Sequence, residues 1–418
     1  MDESVLNKLK ILAESAKYDV SCASSGTSRG HKAGAIGSAA GWGICHSFAE
    51  DGRCISLLKI MLTNYCRYDC AYCINRRSND IPRATLSVTE LVKLTIEFYR
   101  RNYIDGLFLS SGVVRNPDYT MERLVRIVKD LRTIHRFNGY IHLKGIPGAS
   151  PELIHEAGLY ADRMSVNIEI PNEKSLQTLA PEKDFQSVFT PMRHIQQGVL
   201  ESAEERKKYR SAPRFAPAGQ STQMIIGATP DSDKDILRLS SALYQRPTMK
   251  RVYYSGFVPV NAYDNRLPQL KQPPLVRENR LYQADWLLRF YQFKVDEIVD
   301  DSYPDLDLEI DPKLAWALRH PEKFPVDINR ADYELLLRIP GLGVKSAKMI
   351  IVSRRYGKIN GSQLKKMGVV LKKAQYFITC NELPLQTVQE LRPERVRQLL
   401  IPHKGKQEDP RQLKIIFE

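Results

Sequence analysis

The amino-acid sequence predicts an α/β fold in which a large domain of alternating strands and helices precedes a smaller helical domain. From residue 55 onward, short apolar runs alternate with amphipathic helical segments, which is typical of βα units and a parallel sheet. A proline-rich run at 261–274 interrupts this alternation. The chain has 418 residues, and single hydrophobic cores stop growing at roughly 250–300 residues, so we expect more than one domain.

Composition and charge narrow the class of protein. Hydrophobic residues make up 43% and charged residues 26%, as in ordinary globular proteins. No apolar run approaches the ~18 residues of a membrane helix, and the acidic start lacks a signal-peptide core, so we expect a cytoplasmic protein that makes no membrane contact. The formal net charge of +14 favours a polyanionic partner. Seven cysteines, an odd number with uneven spacing, favour metal ligation or catalysis over disulfides.

The predicted elements follow in chain order. Residues 1–54 contain an amphipathic helix, to about residue 18, and a Gly/Ser-rich leader with little helix or strand periodicity. Ser87 and Glu90 form a capping box at the start of the first helix after a strand. Over residues 55–262 the alternation predicts a complete or partial βα barrel, although an open doubly wound sheet also fits. The predicted strands are Ile55–Thr63, Gly106–Ser110, Tyr140–Leu143, Arg163–Glu169, Thr222–Ile226 and Arg251–Phe257.

Three segments follow the predicted barrel. Residues 263–325 are predicted to be a linker with one connecting helix, and residues 326–380 a basic helical domain. Residues 381–418 are predicted to be a charged tail with one short helix.

Three cysteines, Cys66, Cys70 and Cys73, lie within eight positions directly after the first predicted strand. A loop can wrap thiolates with this spacing around one metal centre. Structural zinc sites normally have four protein ligands, whereas an iron-sulfur cluster held by three cysteines keeps one iron open for a substrate or cofactor. Two alternatives remain open at this point, a zinc site and an auxiliary cluster. The zinc site would be completed by His46, Cys45 or Cys54, and the auxiliary cluster would use Cys22, Cys45 or Cys54.

The pattern Cys66-x3-Cys70-x2-Cys73, with Tyr72 before the third cysteine, resembles the signature of the radical S-adenosylmethionine (SAM) superfamily. The resemblance implies a partial (β/α)6-type radical SAM barrel and a 4Fe-4S cluster held by the three cysteines, whose open iron binds SAM. In that family one electron cleaves SAM to methionine and a 5'-deoxyadenosyl radical, which abstracts hydrogen from the substrate. The resemblance also implies a reductant such as flavodoxin or ferredoxin.

Further cofactor contacts are implied by the resemblance at the strand ends. The family's Gly-Gly-Glu after the second strand corresponds here to Ser110, Ser111 and Gly112, without the acid. On the fifth strand, the family's GxIxGxxE pattern keeps its isoleucine and its second glycine. Gln223 stands at the position of the first glycine, and Pro230 stands at the position of the glutamate. No catalytic residue follows from the pattern. The remaining implied cofactor residues are Tyr72 beside the cysteines, Lys144 for the SAM carboxylate, Ser165, Asn167 and Glu169 for the ribose, and Ile225 and Gly227 on the fifth strand.

The segment Leu336–Ile351 contains a Pro-Gly-x-Gly turn followed by the start of a helix. The glycines allow a sharp turn, and amides at the helix N-terminus can bind a phosphate oxygen. The segment resembles the helix-hairpin-helix motif of DNA repair and replication proteins, which binds the duplex backbone independently of sequence. A second, degraded copy follows at Met367-Gly368-Val369. The implied DNA-binding residues are Gly341, Leu342, Gly343, Val344, Lys345 and Ser346.

Together, the two motifs imply an enzyme that acts on DNA. The stretches DGRCISLLKIMLTN, NRRSND and RRNYIDGLFLSSG resemble a bacterial group of radical SAM proteins described as acting in DNA modification or repair. A DNA-glycosylase-like protein is an expected partner. The alternatives are a radical SAM enzyme that modifies RNA such as tRNA, a non-catalytic iron-sulfur DNA-binding protein, and a hairpin that mediates protein contacts.

Overall fold

A computed structural model describes residues 3–17, 44–48, 54–381, 383 and 386–401. The chain divides into two compact units. Unit 1 comprises Met1–Asp231 and Ala242–Pro273, and unit 2 comprises Ser232–Ser241 and Pro274–Glu418. The sequence placed the boundary after residue 262 and kept 232–241 in the barrel, whereas the structure assigns the chain up to Pro273 to unit 1 and 232–241 to unit 2.

Unit 1 is built on one sheet of seven strands that follow each other in chain order. The first strand is antiparallel to the second, and all later neighbours are parallel. A doubly wound sheet reverses its strand order in the middle, and this sheet does not. The predicted partial (β/α)6-type barrel is therefore confirmed, and the doubly wound alternative is wrong. The strands are β1 Ile44–Phe48, β2 Cys54–Met61, β3 Gly106–Ser110, β4 Tyr140–Lys144, β5 Arg163–Ser165, β6 Gln220–Ile226 and β7 Met249–Gly256.

Helices separate the parallel strands. The capping box predicted at the start of the helix after β2 is present, because Ser87 Oγ accepts from the Glu90 amide at 3.1 Å and Glu90 Oε2 accepts from the Ser87 amide at 2.7 Å. This helix buries Leu91, Leu94 and Phe98 on one face. The helices are α1 Glu3–Ala16, α2 Val88–Arg100, α3 Pro117–Thr133, α4 Pro151–Tyr160, α5 Glu173–Leu179, α6 Phe185–Lys208 and α7 Asp233–Tyr244, of which α7 is shared with unit 2.

Strand β1 lies inside the segment that the sequence predicted to be a leader without periodicity. It pairs with β2 along its whole length, from Ile44 opposite Leu58 to Phe48 opposite Cys54. Five residues are too few to show a strand period, and the neighbouring β2 supplies the hydrogen-bonding partners. The leader residues 18–43, which include Cys22, lie outside the described residues.

Unit 2 is helical apart from a two-stranded parallel ladder. Its last helices occupy the predicted charged tail, where Arg397 forms ion pairs with Asp307 and Glu309.

None of the described helices in the chain combines the length and hydrophobicity needed to cross a bilayer. The remaining elements are α8 Leu275–Phe290, α9 Val295–Ile298, α10 Pro312–Arg319, β8 Val326–Asp327, α11 Tyr333–Arg338, α12 Val344–Ser353, α13 Gly361–Lys366, α14 Leu371–Ala374, β9 Ile378–Thr379, α15 Val388–Leu391 and α16 Pro393–Leu400.

Phe215 lies where α4 and α6 pack together and is 4% exposed. Each helix has a glycine where it contacts the Phe215 ring. A Cβ added at Gly158 of α4 would lie 2.1 Å from Phe215 Cζ, and one added at Gly198 of α6 would lie 2.6 Å from the same atom. The ring therefore fills a space that only glycine leaves open.

We expect Gly158→Ala to lower the thermal unfolding midpoint of unit 1, because the new methyl group overpacks this contact at a typical cost of about 1–3 kcal/mol. Scanning calorimetry of the full chain measures the shift. Gly357→Ala is the matched control, since a Cβ there meets no atom within 4 Å. Equal midpoints for the two variants would contradict the packing assignment.

Candidate active site

The loop between β2 and α2 brings Cys66, Cys70 and Cys73 to one cleft. The cleft encloses about 1150 Å³, including space open to solvent. The Cys73 amide donates to the Cys70 carbonyl at 3.0 Å, which closes a turn between these two cysteines. Cys66 Sγ accepts from the Val113 amide at 3.4 Å. Because the loop follows a parallel strand, the thiols lie at the end of the barrel where such folds place their active sites.

The chemistry of the three thiols fits an iron-sulfur cluster. All three are free cysteines. Burial raises the pKa of the Cys70 thiol and raises that of Cys73 to about 12, so both hold their protons in the iron-free protein, and iron binding must displace them. Within the described residues, no three His, Cys, Asp or Glu side chains converge on one point as a single metal ion requires. A 4Fe-4S cluster binds each thiolate through a different iron and so needs three thiols around a shared space.

The alternative sites in the leader gain no support from the strand register. Cys45 pairs with Leu57, whereas Cys54 pairs with Phe48. Leu57 and Cys54 are three residues apart on β2, and successive strand residues alternate between the two faces of a sheet. The register therefore places Cys45 and Cys54 at positions that belong to opposite faces of the sheet. The side chains of His46 and Cys54, like the whole of Cys22, lie outside what the structure describes.

Seven of the ten predicted cofactor residues line the cleft, and three do not. Ser110 is 1% exposed and lies beneath the cleft surface. Ser165 Oγ lies 3.0 Å from His142 Nε2, deeper in the barrel. Gly227 follows β6 in a left-handed conformation, with φ of +83°, and serves a turn. The seven lining residues are Tyr72, Ser111, Gly112, Lys144, Asn167, Glu169 and Ile225.

Gly112 has a packing role in addition to its predicted cofactor role. A Cβ at this position would lie 2.3 Å from the Tyr65 carbonyl oxygen. The Gly112 amide donates to the Thr63 carbonyl at 2.8 Å. The absence of a side chain thus lets the segment after β3 lie directly against the cysteine loop.

Glu169 carries the negative charge of the cleft. Its backbone has φ of +64°, a conformation that is uncommon outside glycine and is concentrated at functional sites. Two backbone hydrogen bonds hold it there, one to the Gln223 carbonyl at 2.9 Å and one from the Ile225 amide at 2.7 Å. The carboxylate lies 3.9 Å from Lys144 Nζ. Lys144 is thus the charged partner that a buried glutamate requires.

Lys183 also lines the cleft, although no sequence pattern predicted it. Its Nζ lies 3.4 Å from the Tyr72 hydroxyl. Burial lowers the pKa of Lys183, but attraction to nearby acidic groups, among them the Glu169 carboxylate, outweighs burial and raises the pKa above its usual value. The side chain therefore places a permanent positive charge beside the thiols. Its sequence context, APEKDF, has the composition of a surface turn and carries no signal for this role.

A profile described as the radical SAM superfamily matches residues 60–211, which include all three cysteines. Residues 60–211 form a radical SAM domain. Members of this superfamily bind a 4Fe-4S cluster and SAM, so both predicted cofactors are confirmed. No curated protein matches the chain.

Several solved structures are similar to part of this chain. The hydrogenase maturase HydG from Carboxydothermus hydrogenoformans is 14% identical over 55% of this chain and 50% of its own, with a TM-score of 0.42. Methylornithine synthase PylB is 15% identical over 55% of this chain and 61% of its own, with a TM-score of 0.40. Coproporphyrinogen III oxidase HemN from Escherichia coli, a radical SAM enzyme, is 14% identical over 61% of this chain and 56% of its own, with a TM-score of 0.34. The chain thus spans only about half to three fifths of the length of these proteins.

We expect Cys66→Ala, Cys70→Ala and Cys73→Ala each to abolish stable cluster binding and SAM cleavage, because the radical SAM cluster loses one of its three ligands. Iron and sulfide content after anaerobic reconstitution, and formation of 5'-deoxyadenosine, measure the two losses. Cys380→Ala in unit 2 is the matched control and should retain the wild-type iron content. Full iron content and cleavage in any of the three variants would refute the ligand assignment.

Proposed function

We propose that the chain uses radical SAM chemistry to modify or repair DNA and that unit 2 binds the DNA backbone. When bound, the cluster and SAM supply the 5'-deoxyadenosyl radical that the superfamily uses. Cys66, Cys70 and Cys73 hold the cluster, and the charged and polar residues of the cleft orient the bound molecules. The observation that supports a DNA substrate is the pair of glycine hairpins in unit 2.

The first hairpin joins α11 to α12 through Gly341, Leu342 and Gly343. Gly341 has φ of +80°, which a glycine adopts without strain. The N-cap residue Gly343 provides no side-chain cap for α12. At the start of α11, by contrast, the Asp332 carboxylate accepts a hydrogen bond from the Leu335 amide at 2.7 Å. First-turn amides of α12 are thus available to an external acceptor such as a phosphate oxygen.

The second hairpin, between α13 and α14, supports the first one. Gly368 has φ of +82°, matching Gly341. The Val370 amide donates to the Gly341 carbonyl at 2.8 Å, and Ser346 Oγ donates to the Met367 carbonyl at 2.8 Å. Ser346, predicted to bind DNA, therefore has a buried side chain that joins the two hairpins. Leu342 and Gly343 are also buried, whereas Lys345 is exposed.

The charge of this segment favours a polyanion. No aspartate or glutamate occurs between Glu334 and Glu382. Several lysines and arginines in that interval are exposed, and multiple phosphate contacts of this kind produce strong, salt-dependent binding. The exposed cations are Lys345, Lys348, Arg355, Lys358, Lys365, Lys366 and Lys372.

We expect the double variant Lys345→Glu/Lys348→Glu to bind duplex DNA more weakly and to lower the slope of log affinity against log salt by about 2, since each lost phosphate contact contributes about 1. Fluorescence anisotropy with a labelled duplex over a salt series measures both quantities. The matched control is Lys207→Glu/Lys208→Glu, which makes the same change of charge at exposed positions of α6 in unit 1. Equal losses in the two double variants would indicate non-specific attraction and contradict the hairpin assignment.

We expect deuterium from labelled DNA to appear in 5'-deoxyadenosine when the reconstituted enzyme, SAM and a chemical reductant are combined. Mass spectrometry of the nucleoside product measures the transfer. Labelled tRNA and labelled single-stranded RNA are run in parallel. Transfer from RNA alone would replace the DNA proposal with RNA modification, and the absence of transfer from any nucleic acid would refute both. A flavodoxin- or ferredoxin-like reductant and a glycosylase-like partner stay predictions.

A further inference from the structure

The segment after β7, residues 261–266, lies against the cysteine loop. Asn261 has no exposed surface. Its side-chain Nδ2 donates to the Ala71 carbonyl at 2.7 Å and to the Cys73 carbonyl at 3.0 Å. Asn79 Nδ2 donates in turn to Asn261 Oδ1 at 2.8 Å. One amide group therefore binds the backbone on both sides of Tyr72, inside the turn that carries two of the three cluster ligands.

A buried ion-pair network joins the same two segments. Arg76, which is 6% exposed, pairs with Asp69 through two hydrogen bonds of 3.0 and 2.8 Å and with Asp264 at 2.6 Å. Arg266 pairs with Asp264 at 2.6 Å. The Arg266 guanidinium holds the pKa of the Asp264 carboxyl well below its usual range. The network therefore joins residues 264–266 to the loop at the point where it leaves the cysteines.

These contacts connect two regions that the sheet does not join. The cysteine loop follows β2, and residues 261–266 follow β7, at the other end of the parallel series. Strand hydrogen bonds run only between consecutive strands here. The geometry of the cysteine turn relative to the last strand is consequently set by side chains, above all by Asn261 and the Arg76–Asp264 pair.

We propose that residues 261–266 are a positioning element for the iron-sulfur cluster and that Asn261 is its principal positioning residue. Asn261 donates to the backbone on both sides of Tyr72, so the turn between Cys70 and Cys73 is held by contacts in which no ligand takes part. Groups that orient metal ligands without touching the metal typically change metal affinity by about 10–100-fold when they are mutated.

The test compares Asn261→Leu, which removes both donors at similar volume, with Thr248→Val. The control removes one buried hydrogen bond, from Gln220 Nε2 to Thr248 Oγ1 at 2.9 Å, at the start of β6 and β7, away from the cysteine loop. Two quantities are measured: hydrogen exchange of amides 66–77 in the iron-free full chain, and the rate at which a chelator removes iron from the reconstituted protein. For Asn261→Leu we expect about tenfold faster exchange and iron loss. Thr248→Val should match wild type in both.

A milder variant keeps the test decisive if Asn261→Leu does not fold. Arg266→Met removes one partner of Asp264 at a side chain that is 34% exposed and leaves Asn261 and Arg76 in place. Its iron loss should fall between those of wild type and Asn261→Leu. The reduced cluster of either variant should also show an altered paramagnetic resonance spectrum at equal iron content. Wild-type exchange, iron loss and spectra in both variants would overturn the proposal, and because no nucleic acid is present, that result would leave the proposed function untouched.

Discussion

The structure depends on holding an irregular loop in one shape. Residues 62–87 have almost no regular secondary structure, so their backbone groups need partners from elsewhere. The Arg83 guanidinium supplies several, because it donates to the carbonyls of Asn64, Asn75, Arg76 and Asn79 at 2.5 to 2.9 Å. The segment after β3, the end of α5 and the segment after β7 supply others. A loop with this many fixed contacts can present three thiols to a cluster without rearrangement.

The half-barrel explains why the other cofactor residues lie near this loop. Parallel strands in consecutive order end at the same edge, so the segments after β3, β4 and β5 and residues of β6 all reach the cleft. Asn167 and Glu169 line it from the segment after β5, and Gln223 lines it from β6. Buried polar groups of this kind are costly unless they are paired, and the Lys144–Glu169 and Asn167–Gln223 contacts provide partners within the site. The polar side chains of the cleft are therefore held by contacts with one another.

The sequence predicted the features that are local and missed those that depend on distant contacts. The six parallel strands, the capping box at Ser87 and the cysteine cluster each occupy a short stretch with its own periodicity or spacing. Strand β1 lacks such a pattern, and Lys183 lies in a stretch with the composition of an ordinary turn. Asn261 is separated from Cys73 by 188 positions, so only the folded chain shows that its amide binds the cysteine turn. The proline-rich composition around it predicted a domain boundary, whereas the segment is fixed within unit 1.

The proposed division of work between the units places selectivity in the cleft. A hairpin that binds phosphate oxygens through backbone amides and lysines positions DNA but does not distinguish bases. In the second hairpin, the Val370 amide and the Met367 carbonyl bind the first hairpin, so these two groups are not open to a base. Recognition of a particular base or lesion therefore requires hydrogen-bonding groups near the cluster. Asn167, Gln223 and Ser255 in the cleft lining are of this type, since each side chain can both donate and accept. If DNA is the substrate, these residues are candidates in the cleft lining for contact with the reacting nucleotide.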